Sequence, residues 1–288
     1  MRIRFISGMR DLGNIQKGFK KPMTLLGEHG KHLMELCHFT HELNPLWEPR
    51  VLQQQIRSLA QDSINEAKKI DEASERFCYL NGRFFDDIQF CTLQKEHFDL
   101  NEILLPQVLI SRQGPASLLM LLYCALMEEC GLKIGIHRSK KKNLLRIHMN
   151  HRSYWVNFDK KCCRLDTGDI VQLVNENEDF SQGDGSSDQL MVRYLEIFKE
   201  SARKAAKRQI ETIVHSHLMK YQPFNLKHIC ERATVAFDVG NYQMVIDDIR
   251  NYFQYKQPKV NSDRLVRLYR QALRRKKQPN VTDPGNFN

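Results

Sequence analysis

"RQGPASLLMLLYCALMEECG", residues 112–131, is the stretch on which the fold turns. It opens on an Arg-Gln-Gly-Pro turn, continues with Ser117, and then runs through ten apolar residues from Leu118 to Met127. Ten is well short of the roughly 20 that a bilayer span requires. The pattern therefore predicts a helix over 117–130, apolar on nearly every side, that belongs in the middle of a protein core. Gly131 is placed to close it, since glycine accepts the left-handed backbone that ends most helices. Ser117 carries two readings. A small hydroxyl residue at a helix start is a natural cap, and it is also where enzymes put a nucleophile, because free N–H groups and the helix dipole stabilise an anion there.

Upstream, the patterns of 24–41 and 48–82 are helical, and Val51, Leu52, Ile56, Leu59, Ile64 and Ala67 recur at three- and four-residue spacing to make one apolar stripe. Residues 81–114 read as loop and short helices, punctuated by Pro106 and closed by Gly114-Pro115. Downstream of Gly131 the period changes to two. "LKIGIH", "NLLRIHM" and "SYWVNFD" predict a small antiparallel sheet laid on the 117–130 helix. A polar, Gly/Ser-rich linker at 177–189 then separates the domain of 23–176 from a helical segment, 190–276. The first 22 residues read as a flexible basic arm, with Met23 as an alternative start, and 277–288 as a disordered tail.

Within the helical segment, residues 226–258 predict two helices joined at Gly240-Asn241, with small Ala233 and Ala236 on the first and Tyr242, Val245, Ile249 and Tyr252 on the second. That is the pattern of one tetratricopeptide unit, although Val245 stands where a small residue is usual. A single helix pair cannot bury its own apolar face, so 190–220 and 262–276 are expected to flank it. The fold class expected is α+β: a helical N-terminal region and a small antiparallel sheet on a central helix, followed by an all-α tetratricopeptide-like module.

The chain has 288 residues and a net charge of +10, unevenly placed. Residues 199–277 hold 18 Lys and Arg against 7 Asp and Glu, and the remainder is balanced at 26 against 27. A basic helical module suits an acidic protein or a nucleic acid. The eight cysteines include no C-x-x-C pair, which points to free thiols in a reducing compartment. With no apolar signal core at the N-terminus, a cytoplasmic location is expected, with no membrane association.

The order of these parts resembles the bacterial SirB-type family of transglutaminase-like proteins. The residues that carry the likeness are "FDLNEILLPQVLISRQG" (98–114), "SLLMLLYCALMEECGLKIG" (117–135), "NLLRI" (143–147), "WVNF" (155–158) and "GNYQMVIDDIRNYF" (240–253). The resemblance implies a degenerate core related to papain-type cysteine peptidases. The chemistry of that fold needs a Cys at the start of the apolar helix, a His on the sheet and an Asp on the next strand. Carried over position by position, these fall on Ser117, Lys142 and Asn157, so all three are replaced. Serine is a weak nucleophile without a base, a protonated lysine is no base, and asparagine has no imidazolium to stabilise.

Substitutes can be drawn on paper. Cys124 lies seven residues into the helix, far from the dipole that would activate it, and a shifted set of Ser117, His148 and Asp159 has the right chemistry. His148-x-x-His151 with Cys162-Cys163 fits no usual zinc spacing, and neither a metal nor a cofactor is expected. The function expected is that of a non-catalytic adaptor. Its helical module would bind an acidic protein through Arg232, Arg250, Arg264, Arg267 and Arg270, with Tyr242, Tyr252, Tyr255 and Tyr269 as aromatic anchors. A residual hydrolase or acyltransferase, and nucleic-acid binding by the basic helices, are the alternatives.

Overall fold

The computed structural model describes residues 27–137, 142–150, 152–176, 185–255 and 262–277. The N-terminal arm, most of the expected linker and the tail beyond Lys277 lie outside the described residues. The polypeptide begins with three helices, α1 (Glu28–Leu43), α2 (Pro49–Ala67) and α3 (Ala73–Gly82). One π-helical turn, Arg83–Asp87, extends α3 and sends Phe84 and Phe85 into the interior. Two-residue strand β1 (Cys91–Thr92), short helices α4 (Leu100–Ile103) and α5 (Leu105–Ser111), and β2 (Gln113–Gly114) then lead to α6 (Ala116–Glu129).

Helix α6 is the centre of the molecule, and every residue from Ser117 to Met127 is buried. An all-round apolar helix needs cover on all sides, and α1, α2, α8 (Asp188–Lys204) and the sheet supply it. Its ends are held by polar groups from elsewhere in the chain. At the C-terminal end, Gly131 adopts the expected left-handed conformation with φ 78°, and Arg76 donates from Nη1 to the Cys130 carbonyl at 3.0 Å. Glu128 reaches back to α1, which has no side-chain cap of its own. One carboxylate oxygen accepts the His29 backbone N–H at 3.2 Å and the other lies 2.7 Å from His29 Nδ1. The glutamate thus does the work of a helix cap from a distance of 99 residues.

The sheet is an antiparallel meander in the order β3 (Lys133–Ile136), β4 (Leu144–Met149), β5 (Arg152–Asn157), β6 (Cys163–Arg164). The three strands read from the sequence are present, with Leu144 paired to Asn157 at one end of the β4–β5 ladder and Met149 to Arg152 at the other. Ile134, Ile136, Leu145, Ile147 and Val156 turn their side chains to the common core. Phe84, Phe85, Phe90, Tyr123 and Phe158 form an aromatic cluster that joins the π turn, α6 and the end of the sheet. "IVQLV" belongs to a helix, α7 (Thr167–Asn175), started by an Asp166–Asp169 capping box.

Five consecutive helices complete the described residues: α8, α9 (Arg208–Tyr221), α10 (Leu226–Asp238), α11 (Tyr242–Tyr255) and α12 (Ser262–Lys277), each packed on the next. The 177–189 boundary does not divide the hydrophobic core. Leu190, Met191, Tyr194, Leu195 and Phe198 of α8, with Val214 and Leu218 of α9, share one core with α6, and Tyr194 donates its hydroxyl to the Ile103 carbonyl at 2.7 Å. A second core, built on Ile229, Ala233, Ala236, Val245, Ile249, Tyr252, Leu265 and Ala272, belongs to α10–α12. Helix α8, beyond the 177–189 boundary, packs directly on α6.

The turn before α6 is fixed by a close approach. β1 and β2 pair in parallel, and Gly114 sits so that an added Cβ would stand 2.8 Å from both γ-carbons of Val108. Val108 is fully buried and cannot yield. Gly114→Ala is therefore expected to destabilise the protein by about 1–3 kcal/mol, read as a lower denaturant midpoint at unchanged slope.

Candidate functional site

The site expected from the sequence is the junction of the α6 N-terminus with the adjoining end of the β4–β5 hairpin. Pro115 occupies the N-cap position of α6, and no side chain caps this end. Ser117 is thus the second residue of the first turn, and its expected role as a cap is not realised. Proline presets the backbone for helix entry and displaces the start by two residues. The Ser117 side chain is only 4% exposed, and its Oγ has no hydrogen-bond partner among the described residues. Among the described residues no imidazole therefore stands within hydrogen-bond reach of it, and a serine hydroxyl without a base is not an effective nucleophile at neutral pH.

The other two carried-over positions serve local structure. Lys142, just before β4, directs its ammonium to Glu176 Oε2 at 3.2 Å, at the end of α7. Asn157, the last residue of β5, accepts the Asp159 backbone N–H at 3.0 Å and so caps the 3-10 turn Phe158–Lys160. Next to both lies a pair that the sequence reading passed over. Asn143 donates its amide to both carboxylate oxygens of Asp159, at 3.0 and 3.1 Å, and its carbonyl accepts the Phe158 N–H at 2.8 Å. Gln94 donates to the same carboxylate at 3.5 Å. The only signal for it was the position of Asn143 one residue after Lys142. The pairing itself depends on strand register, which a sequence does not print.

The substitute sets do not assemble. His148 pairs through Nδ1 with the Ser153 hydroxyl at 2.9 Å. The register places His148 opposite Ser153 and Leu144 opposite Asn157. Four residues of strand, about 13 Å, thus separate His148 from the Asn157–Asp159 end, and the set of Ser117, His148 and Asp159 is not one constellation. Cys163 pairs with Asn157 at that same far end, which also separates it from His148, while His151 lies outside the described residues. Cys124 is fully buried, and burial drives its thiol well above the ordinary range. Cys162, also buried, is pushed up to about 12 for the same reason. Neither forms a thiolate near neutral pH.

The helical segment distributes its expected partner-binding residues unevenly. Arg232 is committed internally. It donates from Nε and Nη2 to the two carboxylate oxygens of the buried Asp248, the former at 2.9 Å, and from Nη1 to Ser216 Oγ at 3.0 Å. It clamps α9, α10 and α11 together and is not offered to solvent. Tyr252 is buried in the second core, and Tyr242 packs half-buried, edge-on to Phe237 at 5.5 Å. The Tyr269 hydroxyl accepts from Arg250 Nε at 3.2 Å across the α11–α12 contact. The Tyr255 side chain lies outside the described residues. Arg264, Arg267, Arg270, Arg274 and Arg275 are exposed on α12, whose other face carries Leu265 and Ala272 into the core.

Residues 50–166 match the family model of the transglutaminase-like superfamily, and this part of the chain is a transglutaminase-like superfamily domain. The match runs from α2 through the sheet to the start of α7, and leaves α1 and α8–α12 outside it. No curated protein and no solved structure matches the chain. Among the described residues no helix is long and apolar enough to cross a membrane.

Two outcomes follow. An acylating or thiol-directed active-site probe should label the native protein no faster at Ser117 or Cys124 than an unfolded control, and Ser117→Ala or Cys124→Ala should leave the labelling pattern unchanged. Arg232→Ala should cost about 3–5 kcal/mol, because it strands the buried Asp248 carboxylate without a partner. In thermal melts Asp248→Asn in the same background should recover part of that loss.

Proposed function

We propose that this protein is a non-catalytic transglutaminase-like protein whose helical segment, read as a tetratricopeptide-like array, docks an acidic protein partner. The observation that carries the first half is the sealed hydroxyl of Ser117 at the head of α6, with no base beside it. The superfamily chemistry runs from a nucleophile at this helix start to an imidazole held by a carboxylate. Here a carboxylate, Asp159, is held by the amide of Asn143, which neither takes up nor returns a proton.

The second half rests on α12. Arg267, Arg270 and Arg274 recur at helical spacing on the face opposite Leu265 and Ala272, with Arg264 and Arg275 beside them. A guanidinium stripe on a rigid helix suits bidentate recognition of carboxylates. The Gly240 turn with φ 78° and the alanines at the α10–α11 crossing support the tetratricopeptide reading.

The test is affinity capture with the full chain against a variant carrying Arg264→Glu, Arg267→Glu, Arg270→Glu and Arg274→Glu, with nuclease-treated and untreated extracts in parallel. The expected result is an acidic protein retained by the parent, lost by the variant and insensitive to nuclease. Equal retention by both chains, or retention that vanishes on nuclease treatment, would overturn the docking role.

A further inference from the structure

We infer that α9 and α10 hold a divalent transition ion, zinc by the chemistry of the donors, between His215, His228 and Glu231. His228 and Glu231 are three residues apart on α10 and so share a face. That face meets His215 on α9, with the two imidazole centroids 5.9 Å apart. One donor atom from each of the three residues lies within 4.8 Å of the others.

The three side chains have partners on their outer sides, with His228 Nε2 3.4 Å from Glu196 Oε1 and Glu231 Oε1 3.9 Å from Lys227, but the atoms they turn toward one another make no hydrogen bond. Eight buried side-chain N and O atoms lack a hydrogen-bond partner among the described residues, and four of them are here: both ring nitrogens of His215, Nδ1 of His228 and Oε2 of Glu231. A buried polar atom without a hydrogen bond costs about 1–3 kcal/mol, and Glu231 Oε2 has only long ion pairs, at 3.6–3.8 Å, in place of one, so four such atoms on one interface call for a ligand that binds them.

His228 shows which kind. Its Nε2 lies 3.0 Å from Gln222 Oε1, and that oxygen also accepts from Asn225 Nδ2 at 2.9 Å. The proton of His228 is therefore on Nε2, and Nδ1 presents a bare lone pair to the cluster. A second-side hydrogen bond of this kind orients metal-bound histidines. Burial pushes His215 down to about 3 and lowers His228 as well, which keeps both rings neutral and able to coordinate.

Lys199 and Arg203 pair more closely with other carboxylates than with Glu231, and Lys227 reaches only the outer oxygen, Glu231 Oε1, at 3.9 Å. Lys199 lies 2.5 Å from Glu196, Arg203 is 3.0 Å and Arg208 2.8 Å from Glu211, while Glu231 Oε2 stands 3.6 Å from Lys199 and 3.7 Å from Arg203. Two imidazoles and a carboxylate are the donor set of three-ligand zinc sites, with water in the fourth position. A tetrahedral ion with bonds of about 2.1 Å needs donors roughly 3.4 Å apart, a contraction that side-chain rotation supplies. The ion would tie α9 to α10 at the point where the first core gives way to the second.

The test uses the full chain freed of metal by a chelator that is then removed, titrated with Zn²⁺ and, separately, Co²⁺. The expected result is one ion per chain, a higher melting temperature with Zn²⁺, and a visible cobalt d–d spectrum without an intense thiolate charge-transfer band. His215→Ala, His228→Ala and Glu231→Gln should each weaken binding by more than about tenfold. Glu231→Gln is nearly isosteric at a side chain that is 24% exposed, so it decides the matter if a histidine variant fails to fold. Absence of stoichiometric binding, an unchanged affinity in Glu231→Gln, or a thiolate band that places the ion on cysteine would overturn the assignment.

Discussion

A helix that is apolar on every side has to be enclosed, and the enclosure of α6 organises the rest of this molecule. From Ser117 to Met127 no residue reaches solvent to any useful extent. At about 1.5–3 kcal/mol for each fully buried large aliphatic or aromatic side chain, this one helix accounts for more burial than any other element. It explains why α1 is capped by a glutamate of α6, why the π turn aims two phenylalanines at Tyr123, and why α8 crosses back from beyond the polar linker. The superfamily match covers only the middle of the enclosure, residues 50–166. Helices α1 and α8, outside it, complete the shell.

The same enclosure bears on chemistry. A nucleophile at a helix start needs access, a base and the positive end of the dipole together. Ser117 has the dipole, but its hydroxyl is covered and unpartnered. Cys124 has neither access nor dipole, and burial suppresses its ionisation. At the sheet, register sets His148 at the wrong end of β4, and the polar groups at the right end bond to one another. The proposed docking role follows from this arrangement of closed positions, combined with an arginine stripe on α12 that the fold leaves open.

The chain changes character between α9 and α10. Apart from α7, whose Leu173 packs with Leu144 and Leu165, the helices up to α9 serve the α6 core; from α10 onward they build their own, with the buried Arg232–Asp248 pair fixing the order of α9, α10 and α11. The cluster of His215, His228 and Glu231 sits at this seam. Polar groups buried at a seam are expensive to leave unpaired, and when satisfied they specify one packing arrangement over its alternatives.

Much of the fold was legible because periodicity reports local geometry directly. The run of 112–131 set a central helix, the change of period after Gly131 set an antiparallel sheet, and Gly240 with its flanking alanines set the α10–α11 hairpin. What the sequence could not supply was who meets whom across the chain. Ser117 reads as a cap, but Pro115 takes that position; Arg232 reads as a surface anchor, but Asp248, sixteen residues on, lies beneath it; and 177–189 reads as a domain boundary, although α8 and α9 beyond it share one core with α6. His215 and His228 carried no signal at all, because their placement depends on how two helices cross. Local propensity is written in neighbouring residues, whereas burial, register and pairing depend on contacts between distant ones, and only the tertiary structure decides those.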